Sequence, residues 1–546
     1  MPEVDPISRL RTELEAAARS VAEDGAPGQP PALDRPPRPD LGDYSSNAAM
    51  LLAAPLGEPP REVAERLRDE VAERLGARAE RVEVAGPGFV NLFLADRWYR
   101  EAIAGMLEAG EEMAHAPVVR PERVDVEFVS ANPTGPLTAA GGRHAAYGDA
   151  VARLLEAAGH DVSREFYVND RGGQIERFAA SVAAEMTGSP PPEDGYEGAY
   201  VGEIAAALGQ EGVDAGDLEA VSARAVELML AQIRESLLRF GVSFDTWFSE
   251  RTLHEGGKVA GAIETLRAAG HVYESEGATW LRTSEFGDDK DRVLLRKGGE
   301  PTYFAADVAY HRSKLERGFE RLLDVLGSDH HGYLSRMRAA IAALGADPDA
   351  FEALLMQFVH IVEGGERAQM SKRRGDFVTL DELVADIGVD ATRFFMLQRS
   401  HDTTVDLDLE LARRESNENP VYYVQYAHAR IASILRKAGE GASARALGYD
   451  QLAVKAAVEP AERVLLKRLL ECPQEVAEAA AKRAPHRLCA YAGTVAADFH
   501  AFYRDCKVVG AEGEGVEEAR LALCLLTKRT IARVLSLLGI GAPERM

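Results

Sequence analysis

Residues 123–143 read RVDVEFVSANPTGPLTAAGGR, and this stretch decides how the rest of the chain is interpreted. Val124, Val126 and Phe128 alternate with two carboxylates, which is the period of a β-strand. A loop rich in proline and glycine follows, and then a run of small residues typical of a closely packed helix. A further strand comes after that helix. Strand, helix and strand predict a βαβ unit, the beginning of a parallel α/β sheet.

The predicted loop, Ser130–Pro136, opens a helix that runs to Ala158, and Val162–Val168 is the next strand. A helix N-terminus offers unpaired N–H groups and the positive end of the helix dipole, so phosphates bind there. Small side chains let a nucleotide approach the backbone. On this pattern alone, a structural turn without a ligand is the alternative.

Length and charge limit the possible classes of protein. A chain of 546 residues is expected to form three or four domains. Its net charge of −25 argues against binding polyanions over the whole surface. From Val421 onward there are 18 Lys+Arg and 14 Asp+Glu, a net charge of +4, which leaves −29 for the first 420 residues. This favours a partner that docks electrostatically at one place, with chance variation as the alternative.

The cysteines and the apolar segments indicate a soluble cytoplasmic protein. The four cysteines form no CxxC pair, so they are interpreted as buried thiols and not as a zinc knuckle; they are Cys472, Cys489, Cys506 and Cys524. The first 21 residues lack the apolar core of a signal peptide. No uncharged apolar run approaches the roughly 18 residues that a membrane span needs.

Further periodic segments predict the regions on either side of the βαβ unit. Helical spacing over Glu62–Leu75 and a strand at Phe89–Leu94 indicate a small α+β domain near the N-terminus. Arg321–Leu326 and Val293–Arg296 are predicted strands, and Phe351–Val362 is ambiguous between helix and strand. From residue 419 onward the spacing is mostly helical and predicts a helix bundle.

Two further motifs carry charge that suits nucleotide chemistry and cation binding. Gln369–Lys372 reads QMSK, and cations are needed where charge develops on phosphates, so Lys372 is the candidate, with Ser371 and Arg373 assisting. Tyr303 and Asp307 are spaced i, i+4, which places them on one face of a helix. An aromatic wall beside a carboxylate suits a guanidinium. An ordinary basic turn and an ordinary helix surface are the alternatives.

The segment Gly327–Tyr333, GSDHHGY, contains two adjacent histidines and an aspartate. Adjacent side chains rarely reach the same ion, and the sequence contains no third ligand cluster, so no protein-bound zinc is expected.

Together, these motifs resemble those of arginyl-tRNA synthetases, which are class I aminoacyl-tRNA synthetases. The resemblance rests on SANPTGPL at Ser130–Leu137, QMSKRRG at Gln369–Gly375, SDHHGY, and DELVADIGVDATRFFML at Asp381–Leu397, and it extends over nearly the whole chain. The two histidines of the family's first motif fall on Thr138 and Gly141, so neither is present. Arg143 and the neighbouring His144 are the residues that could replace their positive charge.

The resemblance implies a multidomain α/β fold. It has a small N-terminal α+β domain at 1–95, which meets the tRNA elbow. A Rossmann-like parallel-sheet catalytic domain follows at 115–400, with an insertion at about 176–290. An all-α helical anticodon-binding domain is expected at 415–546.

The resemblance also implies roles for individual residues. The catalytic candidates are Lys372, Ser371, Thr138 and Arg143. The expected ATP contacts are Asn132, Pro133, Thr134, Gly135, Thr138, Gly141, Gly142, Asp329, His330, Met370 and Lys372. The expected arginine contacts are Glu127, Asn132, Tyr303 and Asp307. The expected tRNA contacts are Phe89, Asn91, Tyr426 and Arg430.

The implied reaction joins arginine and ATP into arginyl-adenylate and transfers arginine to the 3′-terminal adenosine of tRNA(Arg). Mg²⁺ arrives with ATP, activation requires bound tRNA, and the enzyme is a monomer. Two alternatives stay open: a tRNA-binding paralogue that lost catalysis together with its histidines, and a class I synthetase for another amino acid. Glu127 and Asp307 favour a cationic substrate over an acidic or apolar one.

Overall fold

The first part of the chain packs four helices against a three-stranded antiparallel sheet. The computed structural model describes residues 6–22, 29–110, 118–330, 332–367 and 378–546. The first elements are α1 (Pro6–Ala22), β1 (Tyr44–Ser46), α2 (Ala48–Leu56), α3 (Pro60–Leu75), β2 (Ala79–Ala85), β3 (Phe89–Leu94) and α4 (Asp96–Ala109). β3 lies between β1 and β2. Leu10, Leu14 and Leu67 are buried, so the apolar period of the sequence marks the face that enters the core.

The middle of the chain alternates strands with helices. In chain order its elements are β4 (Arg123–Glu127), α5 (Ala139–Ala157), β5 (Asp161–Val168), α6 (Gly173–Met186), α7 (Ala199–Glu211), α8 (Leu218–Arg239), β6 (Thr246–Ser249), α9 (Arg251–Glu255), α10 (Lys258–Ala268), β7 (Val272–Ser275), β8 (Ala278–Leu281), β9 (Arg292–Leu295), α11 (Tyr303–Glu316), β10 (Arg321–Gly327), α12 (Tyr333–Ala343) and β11 (Phe351–Met356). Five strands lie side by side in the order β11-β10-β4-β5-β6, and every neighbouring pair is parallel. The predicted Rossmann-like parallel sheet is confirmed.

β6 divides the predicted insertion at about 176–290 into two parts. It pairs with β5 in the central sheet, although it falls inside the insertion predicted from the sequence. The chain therefore leaves the sheet twice, first through α6, α7 and α8 and then through α9, α10 and a small antiparallel sheet. That sheet has the order β7-β8-β9, and the predicted strand at Val293–Arg296 belongs to it.

The ambiguous segment Phe351–Val362 consists of two strands, and helices dominate after it. The remaining elements are β12 (Val359–Glu363), β13 (Glu366–Arg367), α13 (Leu380–Leu397), β14 (Val405–Asp408), α14 (Leu409–Ala412), α15 (Pro420–Lys437), α16 (Ala442–Leu447), α17 (Pro460–Leu470), α18 (Cys472–Ala481), α19 (His486–Asp505) and α20 (Val516–Leu537). The predicted all-α C-terminal part is confirmed. Among the described residues, no helix has both the length and the apolarity needed to cross a bilayer.

Gly148 lets α5 lie directly on the central sheet. A Cβ atom at this position would lie 2.2 Å from Cγ of Phe128, which follows β4. We expect Gly148→Ala to lower the free energy of unfolding by about 2 kcal/mol, because α5 or Phe128 must move. Denaturant titration measures this change. Gly209→Ala is the matched control, since Gly209 is an exposed residue of α7 with open space around it, and it should gain about 0.5 kcal/mol. Equal stability of G148A and the parent protein would contradict the prediction.

One buried guanidinium joins three distant parts of the chain. Arg393 of α13 donates to Asp149 Oδ2 of α5 at 2.6 Å, to Phe240 O after α8 at 3.2 Å, and to Leu538 O after α20 at 3.0 Å. The side chain is fully buried, so these bonds replace the water that it has lost. A Cβ at position 539 would lie 2.1 Å from the Arg393 guanidinium, which explains the glycine there.

Candidate active site

The chain leaves β4 through two residues with left-handed backbone angles. Val129 has φ 70° and Ser130 has φ 38°, and the β-branched Val129 is strained in this region. The Ser130 N–H donates to Phe128 O at 3.0 Å and closes a γ-turn. Ser130 Oγ then donates to Glu127 Oε1 at 2.9 Å and accepts from the Tyr167 N–H at 3.2 Å. The strained turn thus fixes one oxygen of Glu127 at the carboxyl edge of the sheet.

Lys314 occupies the centre of a buried group of carboxylates. Its Nζ lies 2.9 Å from Asp125 Oδ2, 2.6 Å from Glu127 Oε2 and 3.1 Å from Asp324 Oδ1. Burial alone would lower the pKa of Lys314, but the three carboxylates outweigh burial and raise it well above its usual value. Burial would raise the pKa of Asp324, yet Lys314 and His311 lower it to about 2. Burial raises the pKa of Glu127 although Lys314 opposes this.

Asp307 lies one helical turn after Tyr303 on α11, as their spacing predicted. Within the described residues, its carboxylate makes no hydrogen bond or ion pair. Burial raises the pKa of Asp307 to about 7, with Glu127, Glu250 and Asp324 adding to the rise and His311 opposing it. A carboxylate with a raised pKa and no partner is a candidate binding group for a cationic ligand.

Glu250 is a further carboxylate near the candidate site, and the sequence pattern did not indicate it. It follows β6 directly and is buried. Burial raises its pKa, while Tyr167 opposes the rise. Glu250 lies 3.7 Å from His254 Nε2 through its Oε1, and its charge also raises the pKa of Asp307, so both carboxylates belong to the acidic environment at this edge of the sheet. The available signal was its place directly after a strand, but the four-residue β6 was itself not predicted.

Tyr303 lies at the rim of this acidic pocket. Its side chain is 70% exposed, so it does not yet cover the pocket as an aromatic wall. A Cβ at position 172, just before α6, would lie 3.9 Å from the Tyr303 hydroxyl. Residues of α11 and of the turn before α6 therefore form this rim together.

The N-terminus of α5 is more occupied than the sequence suggested. Thr138 caps the helix, and its Oγ1 accepts from the Gly141 N–H at 3.3 Å. The Gly142 N–H donates to Thr138 O at 2.9 Å, and the Ala139 N–H donates to Val378 O at 3.1 Å. The Gly142 bond is the first bond of the helix itself, but the Ala139 and Gly141 amides, which a helix start leaves without a helical partner, are thus paired inside the protein. Phosphates would meet mainly the helix dipole and the Thr138 hydroxyl.

The loop between β4 and α5 is covered by α6 and α7, two of the helices between β5 and β6. Asn132 Nδ2 donates to Gln174 Oε1 of α6 at 2.6 Å. The Tyr200 hydroxyl of α7 donates to Thr134 O at 3.2 Å. The tyrosine ring covers this part of the loop, where three expected ATP contacts are buried: Pro133, Thr134 and Gly135. Gly142 packs against Leu380 of α13.

Arg143 has a structural place, which corrects the catalytic role predicted for it. The side chain is fully buried. Its guanidinium donates to four backbone carbonyls, those of Gln357 (2.7 Å), Phe358 (3.4 Å), Ser400 (2.8 Å) and Thr403 (2.8 Å). These bonds tie α5 to the loops that follow β11 and α13, so the charge is not available to phosphates.

The second motif lies outside the described residues, but both of its flanks are described. Met370, Ser371 and Lys372 fall within 368–377, which separates β13 from α13. At the far end, the Leu380 N–H donates to Leu137 O at 2.8 Å, next to Thr138. Asp329 is exposed after β10, whereas the His330 side chain is outside the described part.

The four expected tRNA contacts differ in accessibility. Phe89 is 38% exposed on the N-terminal sheet. Asn91 is buried there and its Oδ1 accepts from Ser45 Oγ at 2.7 Å, so a direct role for its side chain in tRNA contact is not supported. In the helix bundle, half-buried Tyr426 stacks with Tyr422 at 6.1 Å.

Arg430, one turn after Tyr426 on α15, is exposed. Its guanidinium lies 5.1 Å from the centre of the Tyr503 ring. Aromatic rings and a cation on one surface suit unpaired bases and their phosphates.

Three family models match consecutive parts of the chain. The arginyl tRNA synthetase N terminal domain matches residues 8–94, the catalytic domain of class I (R) tRNA synthetases matches 216–430, and the DALR anticodon binding domain matches 424–546.

Whole proteins are also similar over almost their full length. The arginine–tRNA ligase of Frankia alni is 47% identical over 528 residues, which is 94% of both chains. That of Geobacillus kaustophilus is 44% identical over 553 residues, 98% of both chains. The solved structure of Thermus thermophilus arginyl-tRNA synthetase superposes with a TM-score of 0.76 at 26% identity, covering 98% of this chain and 100% of that one.

Proposed function

Because this chain belongs to the arginyl-tRNA synthetases and is an arginine–tRNA ligase of class I, we propose that Asp307 and Glu250 bind the guanidinium of arginine. The observation that carries this proposal is the half-buried Asp307 carboxylate, which has no hydrogen-bond or ion-pair partner among the described residues and whose pKa is raised by desolvation and by three neighbouring carboxylates, Glu127, Glu250 and Asp324. Paired carboxylates match the planar, permanently charged guanidinium. Tyr303 closes against the side chain from the rim, and Glu127 and Asn132 meet the other polar groups of the amino acid.

In the first step, a carboxylate oxygen of arginine attacks the α-phosphorus of ATP. A new P–O bond forms, the bond to the β-phosphate bridging oxygen breaks, and pyrophosphate leaves. The attacking carboxylate is already ionised, so no general base is required. The protein must align the reactants and place cations on the phosphates. We assign this charge to Lys372, with Ser371, the Thr138 hydroxyl and the α5 dipole assisting. Arg143 takes no part.

In the second step, the 2′-hydroxyl of the terminal adenosine attacks the carbonyl carbon of arginyl-adenylate. The ester bond forms, the mixed anhydride bond breaks, AMP leaves with the bonding electrons, and the hydroxyl proton passes to solvent. The proposed ATP contacts are Asn132, Pro133, Thr134 and Gly135 in the loop before α5, Gly141 and Gly142 in the first turn of α5, and Asp329 after β10.

The described residues do not offer a protein cage for Mg²⁺, since no group of three or more metal-ligand side chains occurs among them. We therefore keep Mg²⁺ as an ion that ATP carries on its phosphates and that neutralises part of their charge. No step of the proposal runs through the ion.

We propose that tRNA(Arg) meets the protein at both ends of the chain, in the cytoplasm, where the enzyme acts as a monomer. Phe89 of the N-terminal domain (1–95) faces the tRNA elbow. Tyr426 and Arg430 of the helical domain (415–546) face the anticodon. The catalytic domain (115–400) lies between them in the sequence, whereas in the fold the two outer domains touch directly, with Lys467 Nζ 2.7 Å from Asp43 Oδ1. The net charge of +4 from Val421 onward supports the anticodon end of this arrangement.

Pyrophosphate exchange with arginine, with and without tRNA(Arg), tests the proposed chemistry. We expect exchange only when tRNA is present, and no exchange with citrulline, which has the shape of arginine without its charge. Exchange with citrulline at a rate similar to arginine would contradict the proposed carboxylate pocket.

Arginine binding should strengthen as the pH rises through 7. The pKa of Asp307 in the folded protein lies above the 3.8 of a free aspartate side chain, so its ionisation destabilises the free enzyme as the pH rises from 3.8 towards about 7. A guanidinium binds the ionised form and displaces the proton. The Kd for arginine should therefore fall about tenfold from pH 6 to pH 8. Calorimetry in buffers of different ionisation enthalpy should detect proton release near pH 7; heats that do not depend on the buffer would contradict this.

A further inference from the structure

Lys314 contacts the proposed arginine pocket through the Glu127 carboxylate, on the buried side of that residue. It lies two turns after Asp307 on α11 and, among the described residues, it is the only cation within ion-pair distance of Glu127. Ser130 binds the other Glu127 oxygen. Each carboxylate oxygen can accept two hydrogen bonds, so Glu127 keeps acceptor capacity for the substrate.

We propose that Lys314 is a positioning residue of the arginine pocket, which holds the Glu127 carboxylate ionised and in place for the substrate's positive charge. The inference rests on the proposed function, because it assumes that Glu127 meets arginine. Lys314 itself touches no substrate and acts through Glu127.

The charge balance around Lys314 points to recognition and not to structure alone. One ammonium faces three carboxylates, Asp125, Glu127 and Asp324, within 3.1 Å. A purely structural buried cluster is most stable when its charges are balanced, or when it is replaced by apolar groups. Here negative charge exceeds positive charge, and the excess lies next to the open carboxylate of Asp307. A cationic substrate supplies the missing charge.

The other charged groups around Lys314 already have hydrogen-bond or ion-pair partners within the protein. Glu165 of β5 accepts from Arg317 (Nη2 at 2.9 Å) and from the Tyr310 hydroxyl at 2.6 Å. His311 lies 3.1 Å from Asp324 Oδ2. The groups that face the pocket are thus Asp125 and Glu127 from β4, Glu165 from β5, Asp324 from β10, Glu250 after β6, and Asp307, Tyr310, His311, Lys314 and Arg317 from α11 and its end. In this set, Lys314 alone lies within ion-pair distance of Glu127, while His311 also lowers the pKa of Glu127 without pairing with it.

The test is the pH profile of kcat/KM for arginine in tRNA-dependent pyrophosphate exchange. In Lys314→Met, Glu127 loses its counter-charge and takes up a proton at neutral pH. We expect the KM for arginine to rise more than about tenfold at pH 7 and to recover as the pH approaches 9. The KM for ATP should change less than about threefold, because ATP does not meet Glu127.

Asp125→Asn provides an opposite shift without removing the lysine. With one competing carboxylate neutralised, Lys314 is shared between Glu127 and Asp324. In the Asp307→Asn background, which removes the limb that Asp307 sets near pH 7, the acidic limb of the profile should therefore move to lower pH. Arg317→Met is the matched control, since it removes a cation of the same network that binds Glu165 and not Glu127. Its acidic limb should stay in place.

These variants separate the two proposals. If K314M does not fold, D125N decides, and an acidic limb that stays or moves to higher pH overturns the role of Lys314. An unmoved limb in a folded K314M also overturns it. If Asp307→Asn leaves the KM for arginine unchanged, the pocket assignment itself fails. A large effect in D307N with none in K314M or D125N leaves the pocket standing and removes only the positioning role.

Discussion

Asp307→Asn should lower kcat/KM for arginine at least about a thousandfold, because it removes a charged partner of a buried guanidinium, a loss of about 4 kcal/mol. The substitution keeps the shape of the side chain. It also removes a group whose pKa is raised to about 7 by burial and by neighbouring carboxylates, so the folded protein should become slightly more stable. Pyrophosphate exchange in the presence of tRNA measures the first effect, and thermal unfolding measures the second.

A control on the same helix separates recognition from general charge. Glu316 pairs with Arg312 on the exposed side of α11, and Glu316→Gln removes one negative charge without touching the pocket. We expect its kcat/KM to stay within about twofold of the parent protein, because exposed ion pairs contribute little. A D307N enzyme that discriminates arginine from citrulline as well as the parent protein does would show that Asp307 is not the guanidinium partner.

Lys372→Met should lower kcat for adenylate formation about a hundredfold to a thousandfold, with a small effect on the KM for arginine. One well-placed cation at a developing phosphate charge stabilises the transition state by about 3–4 kcal/mol. The loss should be large here, because the first motif offers Thr138 and Gly141 where the family has histidines and because Arg143 is engaged with backbone carbonyls. Single-turnover formation of arginyl-adenylate measures this rate.

Arg374→Met tests whether any nearby cation would suffice. It lies two residues further in the same basic segment, and we expect a change below about threefold, since the sequence indicates only a solvated basic turn there. Equal losses in K372M and R374M would mean that the segment acts through its total charge and that Lys372 has no specific role.

The order of elements could be predicted from the sequence because period and composition are local properties. The βαβ unit and the helical C-terminal part follow from spacing alone, whereas for Tyr303 and Asp307 the i, i+4 spacing only placed the two residues on one face of a helix. β6 could not be predicted in this way, since four residues give too short a pattern, and Glu250 was lost with it. Its carboxylate becomes part of the pocket only through strand order, which is a non-local property.

The burial and the partners of a charged side chain could not be predicted from the sequence either. Arg143 follows a phosphate-type loop, and the sequence alone does not distinguish a guanidinium that faces solvent from one that faces carbonyls. α5 is buried on most of its surface, so its amphipathic period is weak. Lys314 presents the opposite case, because HRSKLER resembles an exposed helix end. Its two-turn spacing from Asp307 was an available signal, since it places both side chains on the face that meets the sheet.

The three hydrogen bonds of the buried Arg393 guanidinium join parts of the chain that the ribosome makes at very different times. Asp149, on the helix that follows the phosphate loop, is synthesised early and can pair at once with Arg153 and Arg164, yet its fully buried partner Arg393 comes 244 residues later. The carbonyl of Leu538 that completes this guanidinium comes 145 residues later still. Until Leu538 has been made, Arg393 lacks one of its three protein acceptors, and the missing hydrogen bond contributes about 1–3 kcal/mol once the guanidinium is buried. The catalytic helix is therefore fully braced only in molecules whose C-terminal helix has been translated and folded, and a chain interrupted within that helix would lack this support.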